Sequence, residues 1–130
     1  MPPGRNQKIG KMGETIAAAY LLRNGYRVLA RNQRVPGGEV DITAVLGDIL
    51  VLVEVKTLNG GSGVRKNGMN PEDNLTFAKR RLLRRAAGYT MNKLMGPGSG
   101  LVEVRIDVIA VVLLPSGLAR IRHYRNALAL

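Results

Sequence analysis

The sequence predicts an α/β domain in which a mixed central sheet is flanked by two helices. Three observations carry that expectation. The elements alternate along the chain as helix, strands, helix, strands. Residues 38–56 form a β-branched strand pair with charges at alternate positions. Two further stretches, from Ile9 and from about Thr76, place apolar residues at helical spacing. A chain of 130 residues is long enough for one domain with its own core.

Composition narrows the chemistry. With one Phe, four Tyr and no Trp, the core must rest on Val, Ile, Leu, Ala and Met. The absence of cysteine excludes disulfides, zinc–thiolate sites and cysteine nucleophiles, and a single histidine, His123, excludes a multi-histidine metal site. Any metal would be held by carboxylates. The net charge of +11 points to a polyanionic partner, with nucleic acid ahead of an acidic protein or an anionic lipid surface. Scarce aromatics favour contacts to the phosphate backbone over stacking on unpaired bases. No apolar run resembles a signal peptide or a membrane span, so a cytoplasmic protein without a membrane partner is expected.

Taken in order, residues 1–8 are expected as a disordered basic lead, ahead of a single domain over 9–130. Ile9 to Asn24 is helical, with Ile9, Met12, Ile16 and Tyr20 on one stripe, Gly13, Ala17 and Leu21 beside it, and Gly25 as the stop. Glu14, its only acid, borders the buried face; taken alone, it is a first-turn carboxylate complementing the helix dipole. Tyr26–Asn32 is a first strand, and residues 33–37 connect it to the strand pair. Beyond Lys56, residues 58–74 are glycine-rich and predict a mobile loop beside any site there. Asn74 or Thr76 caps a second helix that ends near Leu94, with Ala78, Leu82, Leu83, Ala86, Ala87 and Tyr89 as its apolar stripe. On its flank, Arg80, Arg81, Arg84 and Arg85 stand in like-charged pairs at i, i+4. That spacing weakens a helix, so the flank suits phosphate as well as plain solvent. Leu101–Leu114 is a long strand, and Arg105 and Asp107 are same-face neighbours suited to an ion pair. After a turn at 115–117, Leu118–Tyr124 is a basic last strand. His123 is expected to be structural or surface, and Asn126–Leu130 to form a short terminal helix.

The chemistry concentrates in the strand pair. A two-residue turn at Gly47-Asp48 sets Leu46 against Ile49, which places Asp41 opposite Glu54 and Glu39 opposite Lys56. Side chains alternate, so these four leave one face while Val40, Ile42, Val53 and Val55 leave the other. Directly paired residues have Cβ atoms roughly 4.5–5.5 Å apart, and opposed like charges there are destabilising. A divalent cation would remove the repulsion, and hard oxygen ligands suit Mg²⁺ or Mn²⁺. It would polarise a phosphate oxygen and acidify a water, with Lys56 placed to orient that water or to stabilise developing charge. The bland alternative is a solvated strand face laced by cross-strand ion pairs.

Gly13-Glu14 in its Ala-rich helix, Asn32, Gly38-Glu39-Val40-Asp41-Ile42, Val53-Glu54-Val55-Lys56, Arg105-Ile106-Asp107-Val108 and the closing residues 121–128 resemble the YraN family of bacterial proteins. The resemblance spans about residues 8–128. That family is similar to the restriction-endonuclease-like superfamily, and in motif to the archaeal Holliday-junction resolvases. The resemblance implies Asp41 and Glu54 as metal ligands, Lys56 as the catalytic lysine and Glu14 as an auxiliary ligand. Glu39 matches the motif as a further acid, although pairing with Lys56 would also account for it, and Lys79 matches a lysine suited to a phosphate. The implied activity is Mg²⁺- or Mn²⁺-dependent endonucleolytic cleavage of DNA, branched or structured forms included, with Lys79, Arg80, Arg81, Arg84 and Arg85 holding the backbone. Resolvases of similar pattern act as dimers, which leaves room for a homodimer here. The alternative is an accessory protein that binds nucleic acid on the same fold without chemistry; a scaffold for an acidic protein partner is a third reading.

Overall fold

The computed structural model describes residues 4–60 and 75–130. Its elements run α1 (Arg5–Arg23), β1 (Arg27–Val35), β2 (Gly38–Leu46), β3 (Ile49–Asn59), α2 (Phe77–Leu94), β4 (Glu103–Leu113) and β5 (Ala119–Tyr124). The five strands form one sheet in chain order, in which β3 and β4 are parallel and every other neighbouring pair is antiparallel. This is the mixed α/β architecture the sequence predicts.

Helix α1 begins at Arg5, so Arg5 to Lys8 belong to its first turns and not to a disordered lead. It ends where expected. Gly25, at φ +86°, makes the left-handed exit, and Tyr26 N–H and Gly25 N–H return to the carbonyls of Leu21 and Leu22. Ala17, Ala18 and Leu21 are buried against the sheet, whereas Met12 is half exposed and leaves the predicted stripe. Gly13 is what lets the helix approach: a Cβ there would collide with the Thr57 side chain on β3. That close approach sets the neighbouring Glu14 over the end of the sheet.

Strand β1 continues to Val35, three residues past its predicted end, and turns through Pro36 and Gly37 into β2. Gly37 supplies the positive φ, +91°, that a Pro-Gly turn of this kind needs at its second position. The β2–β3 hairpin has the predicted register, with Leu46 opposite Ile49 and Ile42 opposite Val53. Thr76 caps α2 by accepting a hydrogen bond from Lys79 N–H; Asn74 lies outside the described residues. Of the loop expected over 58–74, Leu58 and Asn59 extend β3, and residues 61–74 lie outside the described residues.

The sheet separates two cores. Ala17, Leu21, Ile42, Val51, Val53 and Ile109 pack on the α1 side. Val45, Leu50, Leu52, Leu83, Ile106 and Val108 pack on the α2 side. Strands β3 and β4 are covered on both faces, which is why they read as nearly continuous apolar runs. In α2, Leu83, Ala86, Ala87 and Thr90 are buried while Ala78 is exposed, so the stripe begins one turn later than its spacing suggested. The terminal helix expected at Asn126–Leu130 does not form. Asn126 takes a left-handed φ of +52°, Ala127 N–H bonds Ile106 carbonyl at 2.8 Å, and Ala127 and Leu128 are buried in the α2-side core.

Buried at the opposite face of β4, Arg105 and Asp107 form the predicted ion pair, bidentate at 2.8 and 2.9 Å. Its extent goes beyond the prediction. His123 Nε2 stands 2.7 Å from Asp107 Oδ2, its Nδ1 stands 3.0 Å from the Tyr20 hydroxyl, and Arg105 also donates to the Tyr26 hydroxyl. His123 is therefore a structural member of a buried network. The signal available in the sequence was a lone Asp inside an otherwise apolar run.

Candidate active site

The β2–β3 ladder ends at the Ile42–Val53 pair. Beyond it the next inward-pointing N–H of β3, that of Val55, donates to the Asp41 carboxylate Oδ2 at 2.8 Å instead of to β2 backbone. A side chain thus replaces a rung of the ladder, and the strands part. The alternation of β2 changes at the same place: Ile42 belongs to the α1-side core but Val40 to the α2-side core, correcting the expectation that both share a face. A cleft of about 450 Å³ opens there, lined by Ile9, Gly10 and Glu14 of α1, Asp41 of β2, Val55, Thr57 and the pair Glu54 and Lys56 of β3, and Lys79 of α2. Glu14, Asp41, Glu54 and Lys56, predicted from four separated positions, therefore share one cavity.

Glu54 is buried, and its carboxyl is pushed up to about 8, first by burial and then by its hydrogen bond with Asp41 and by that residue's charge. Lys79 Nζ, 3.2 Å from Glu54 Oε2, pulls partly the other way. The direction favours a proton shared between Glu54 and Asp41 in their hydrogen bond. Glu14 is also raised, by burial and by the charge of Asp41, against a hydrogen bond with Asn32 and the charges of Arg31 and Lys11. Its Oε1 is buried without a hydrogen-bond partner. Asn32 sits in the left-handed region at φ +51°, which Asn tolerates better than most residues; the motif marks this residue, but nothing in the sequence tied it to Glu14. Among the described residues no group of three acid, His or Cys side chains is already gathered as a cation cage. Mg²⁺ does not require one, since one or two carboxylates plus substrate phosphate oxygens are its usual protein-side set. A proton-sharing carboxylate pair beside an orphaned carboxylate oxygen fits that demand.

The raised Glu54 gives a stability prediction with a definite sign. Between pH 4.5 and about 8 the native state holds a proton that the unfolded chain has released, so stability falls as pH rises through this window. Glu54→Gln removes that loss. The variant is expected to unfold at higher denaturant than wild type near pH 8.5, by on the order of a few kcal/mol, with the gap closing toward pH 4.5. Parallel urea midpoints across the range would contradict it.

The remaining predicted residues lie elsewhere. Glu39 does not face Lys56: it pairs with Arg34 across the β1–β2 ladder, 4.0 Å apart and exposed, because β2 has left β3 by that point. It does not line the cleft. Lys79 does, but held by Glu54 instead of standing free for phosphate. Arg80 Nε donates to Leu75 carbonyl, Arg81 lies over the Phe77 ring at 5.5 Å, and Arg84 Nε donates to Ala129 carbonyl. Arg85 is exposed and reaches toward Gly37. None of these four arginines lines the cleft.

A family model described as "Uncharacterised protein family UPF0102" matches residues 13–111. The chain belongs to the UPF0102 family. Full-length relatives agree. A UPF0102 protein of Symbiobacterium thermophilum is 40% identical over 94% of this chain and 97% of its own length. Another, from Geobacter sulfurreducens, is 41% identical over 100% of this chain and 98% of its own. UPF0102 is the YraN family that the motifs resemble. Among solved structures, the chain is similar to Pyrococcus furiosus SfsA in complex with Ca²⁺, with a TM-score of 0.46 and 15% identity, covering 96% of this chain and 65% of that one. Among the described residues no helix is long and apolar enough to cross a membrane.

Proposed function

We propose that this UPF0102 protein is a Mg²⁺- or Mn²⁺-dependent endonuclease that hydrolyses phosphodiester bonds in DNA, branched or structured DNA included. The observation that carries the reading is the Asp41–Glu54 carboxylate pair, set in an open cleft with Lys56 and the unpartnered oxygen of Glu14. Asp41 and Glu54 would hold the cation, with Glu14 as a third oxygen donor. A bound divalent ion supplies charge neutralisation and Lewis-acid polarisation of the scissile phosphate. The chain's own groups do the rest. Lys56 orients the attacking water and stabilises charge developing on the phosphate. Lys79 would turn to a phosphate oxygen once another cation took over the charge of the Asp41–Glu54 pair. Cutting both strands of a branched substrate calls for two copies of the chain, hence a homodimer on DNA.

One observation favours a second reading, a nucleic-acid-binding accessory protein without chemistry. Lys79 already sits against the Asp41–Glu54 pair from within the fold and offsets its charge, as it would in a site that no longer takes a metal. Thermal unfolding with and without millimolar Mn²⁺ separates the two. A ligand confined to the native state stabilises by about 2.7 kcal/mol at a hundredfold excess over its Kd. Mn²⁺ is expected to raise the melting temperature of wild type but not of Asp41→Asn, and to support nicking of plasmid or four-way-junction DNA. A melt indifferent to Mn²⁺ even with DNA phosphate present, and no nicking, would favour the accessory protein.

A further inference from the structure

The α1 wall of the cleft includes Gly10, a residue inside a helix. Glycine there weakens a helix relative to alanine. Gly13 has a packing reason, the contact with Thr57, but Gly10 has none: a Cβ added to it would meet nothing within 4 Å among the described residues. The space it leaves faces the cleft. Two exposed cations flank Glu14 outside the lining itself, Lys11 next to Gly10 in α1 and Arg31 on β1. Arg31 is steered by a hydrogen bond from its guanidinium to Thr15 Oγ1 at 3.1 Å. Both lie near enough to Glu14 to act on its carboxyl. Of the α2 arginines, Arg81 covers Phe77, Arg84 ties down the C-terminal segment and Arg85 reaches toward Gly37.

Resting on the nuclease reading, we infer that the rim made by Gly10, Lys11 and Arg31 is the entry for a phosphodiester backbone. The bare helix backbone at Gly10 admits the strand, while Lys11 and Arg31 hold phosphates flanking the one presented to Asp41 and Glu54. Binding of this kind is read through counterion release, in which each phosphate contact contributes about 0.9 to the slope of log K against log salt.

The test is fluorescence anisotropy with a duplex DNA in EDTA, titrated with salt, so that no cleavage is required. Lys11→Gln/Arg31→Gln is expected to bind about tenfold or more weakly at low salt, with a slope shallower by roughly two. Arg81→Gln/Arg85→Gln is expected to keep most of the wild-type slope. If the double variant at the rim melts without cooperativity, Lys11→Gln alone, on an exposed helix position, carries the test with a slope change of about one. Gly10→Ala is expected to melt higher than wild type yet bind and nick DNA less well, a combination that a merely structural glycine would not produce. Wild-type slope in the rim variants, or a Gly10→Ala that melts higher and binds normally, would overturn the inference, as would a wild type with no salt-sensitive DNA binding. Rim-dependent binding by a protein that nicks nothing in Mn²⁺ would leave the inference standing and sink the nuclease reading instead.

Discussion

Asp41→Asn is expected to lower metal-dependent DNA cleavage by at least on the order of 10²–10³-fold, the usual cost of deleting one electrostatic element of a transition-state site. Glu54→Gln should do the same. On the proposed reading neither should weaken DNA binding, because neither adds negative charge to the cleft and Asp41→Asn removes some; binding unchanged or slightly tighter is the expected result of a filter-binding or anisotropy titration. On the same reading Lys56→Ala should lose cleavage while keeping the stabilisation by Mn²⁺, since the lysine lines the cleft with Asp41 and Glu54 but an ammonium offers a cation no ligand atom. The comparison matters because Asp41 also has a structural duty: its carboxylate takes the Val55 N–H where the ladder opens. Asparagine retains an oxygen for that N–H, so the variant separates chemistry from folding. Cleavage that survives Asp41→Asn, with binding lost, would contradict the assignment.

Asp107→Ala is expected to be the most destabilising single change considered, costing about 3–5 kcal/mol, because it removes one partner of a buried ion pair and leaves the other without compensation. Asp107 is fully buried; Arg105 donates to it twice, His123 Nε2 stands at 2.7 Å, and Asn126 N–H adds a further bond at 3.0 Å. Burial alone would raise its pKa, yet the hydrogen bonds from His123, Arg105 and the Asn126 N–H, with the charge of Arg105, hold it below 3.8. A depressed acid stabilises the fold above its unfolded pKa, and that contribution is lost as pH falls through the lower folded value. Wild type should therefore lose stability on acidification below about pH 4, and Asp107→Asn should flatten that limb. The C-terminal segment should respond too. Asn126 anchors to Asp107, and the neighbouring Ala127 to Ile106, so proteolysis near residue 126 is expected to accelerate in the variant. A melt within 1 kcal/mol of wild type would show that the network contributes little.

What was legible beforehand was mostly local. Gly47-Asp48 between two β-branched runs specifies a two-residue hairpin, and the hairpin alone sets the register from Ile42–Val53 to Leu46–Ile49. Turn chemistry and pleat together therefore placed Asp41 beside Glu54 before any other element was known. Thr76 and Gly25 likewise marked helix ends through groups within a few residues of them. Glu39 failed for a physical reason of the same scale: register continues only while the ladder does, and β2 abandons β3 at Asp41 for a longer pairing with β1. Periodicity could not distinguish a ladder that continues from one that opens.

By itself, then, the sequence determined a mixed α/β fold, membership of a family, a carboxylate pair at one strand end and a strongly basic surface. Those follow from side-chain period, turn residues, motif and net charge, all properties of the chain written in order. Only the tertiary structure decided that Lys79 sits on Glu54, that Glu14 hangs over the cleft with an unpartnered oxygen, and that α2's arginines stay out of it. Each of these depends on where two helices land on opposite faces of the sheet. That landing is set by contacts between residues far apart in the chain, such as Gly13 against Thr57, which no local pattern encodes.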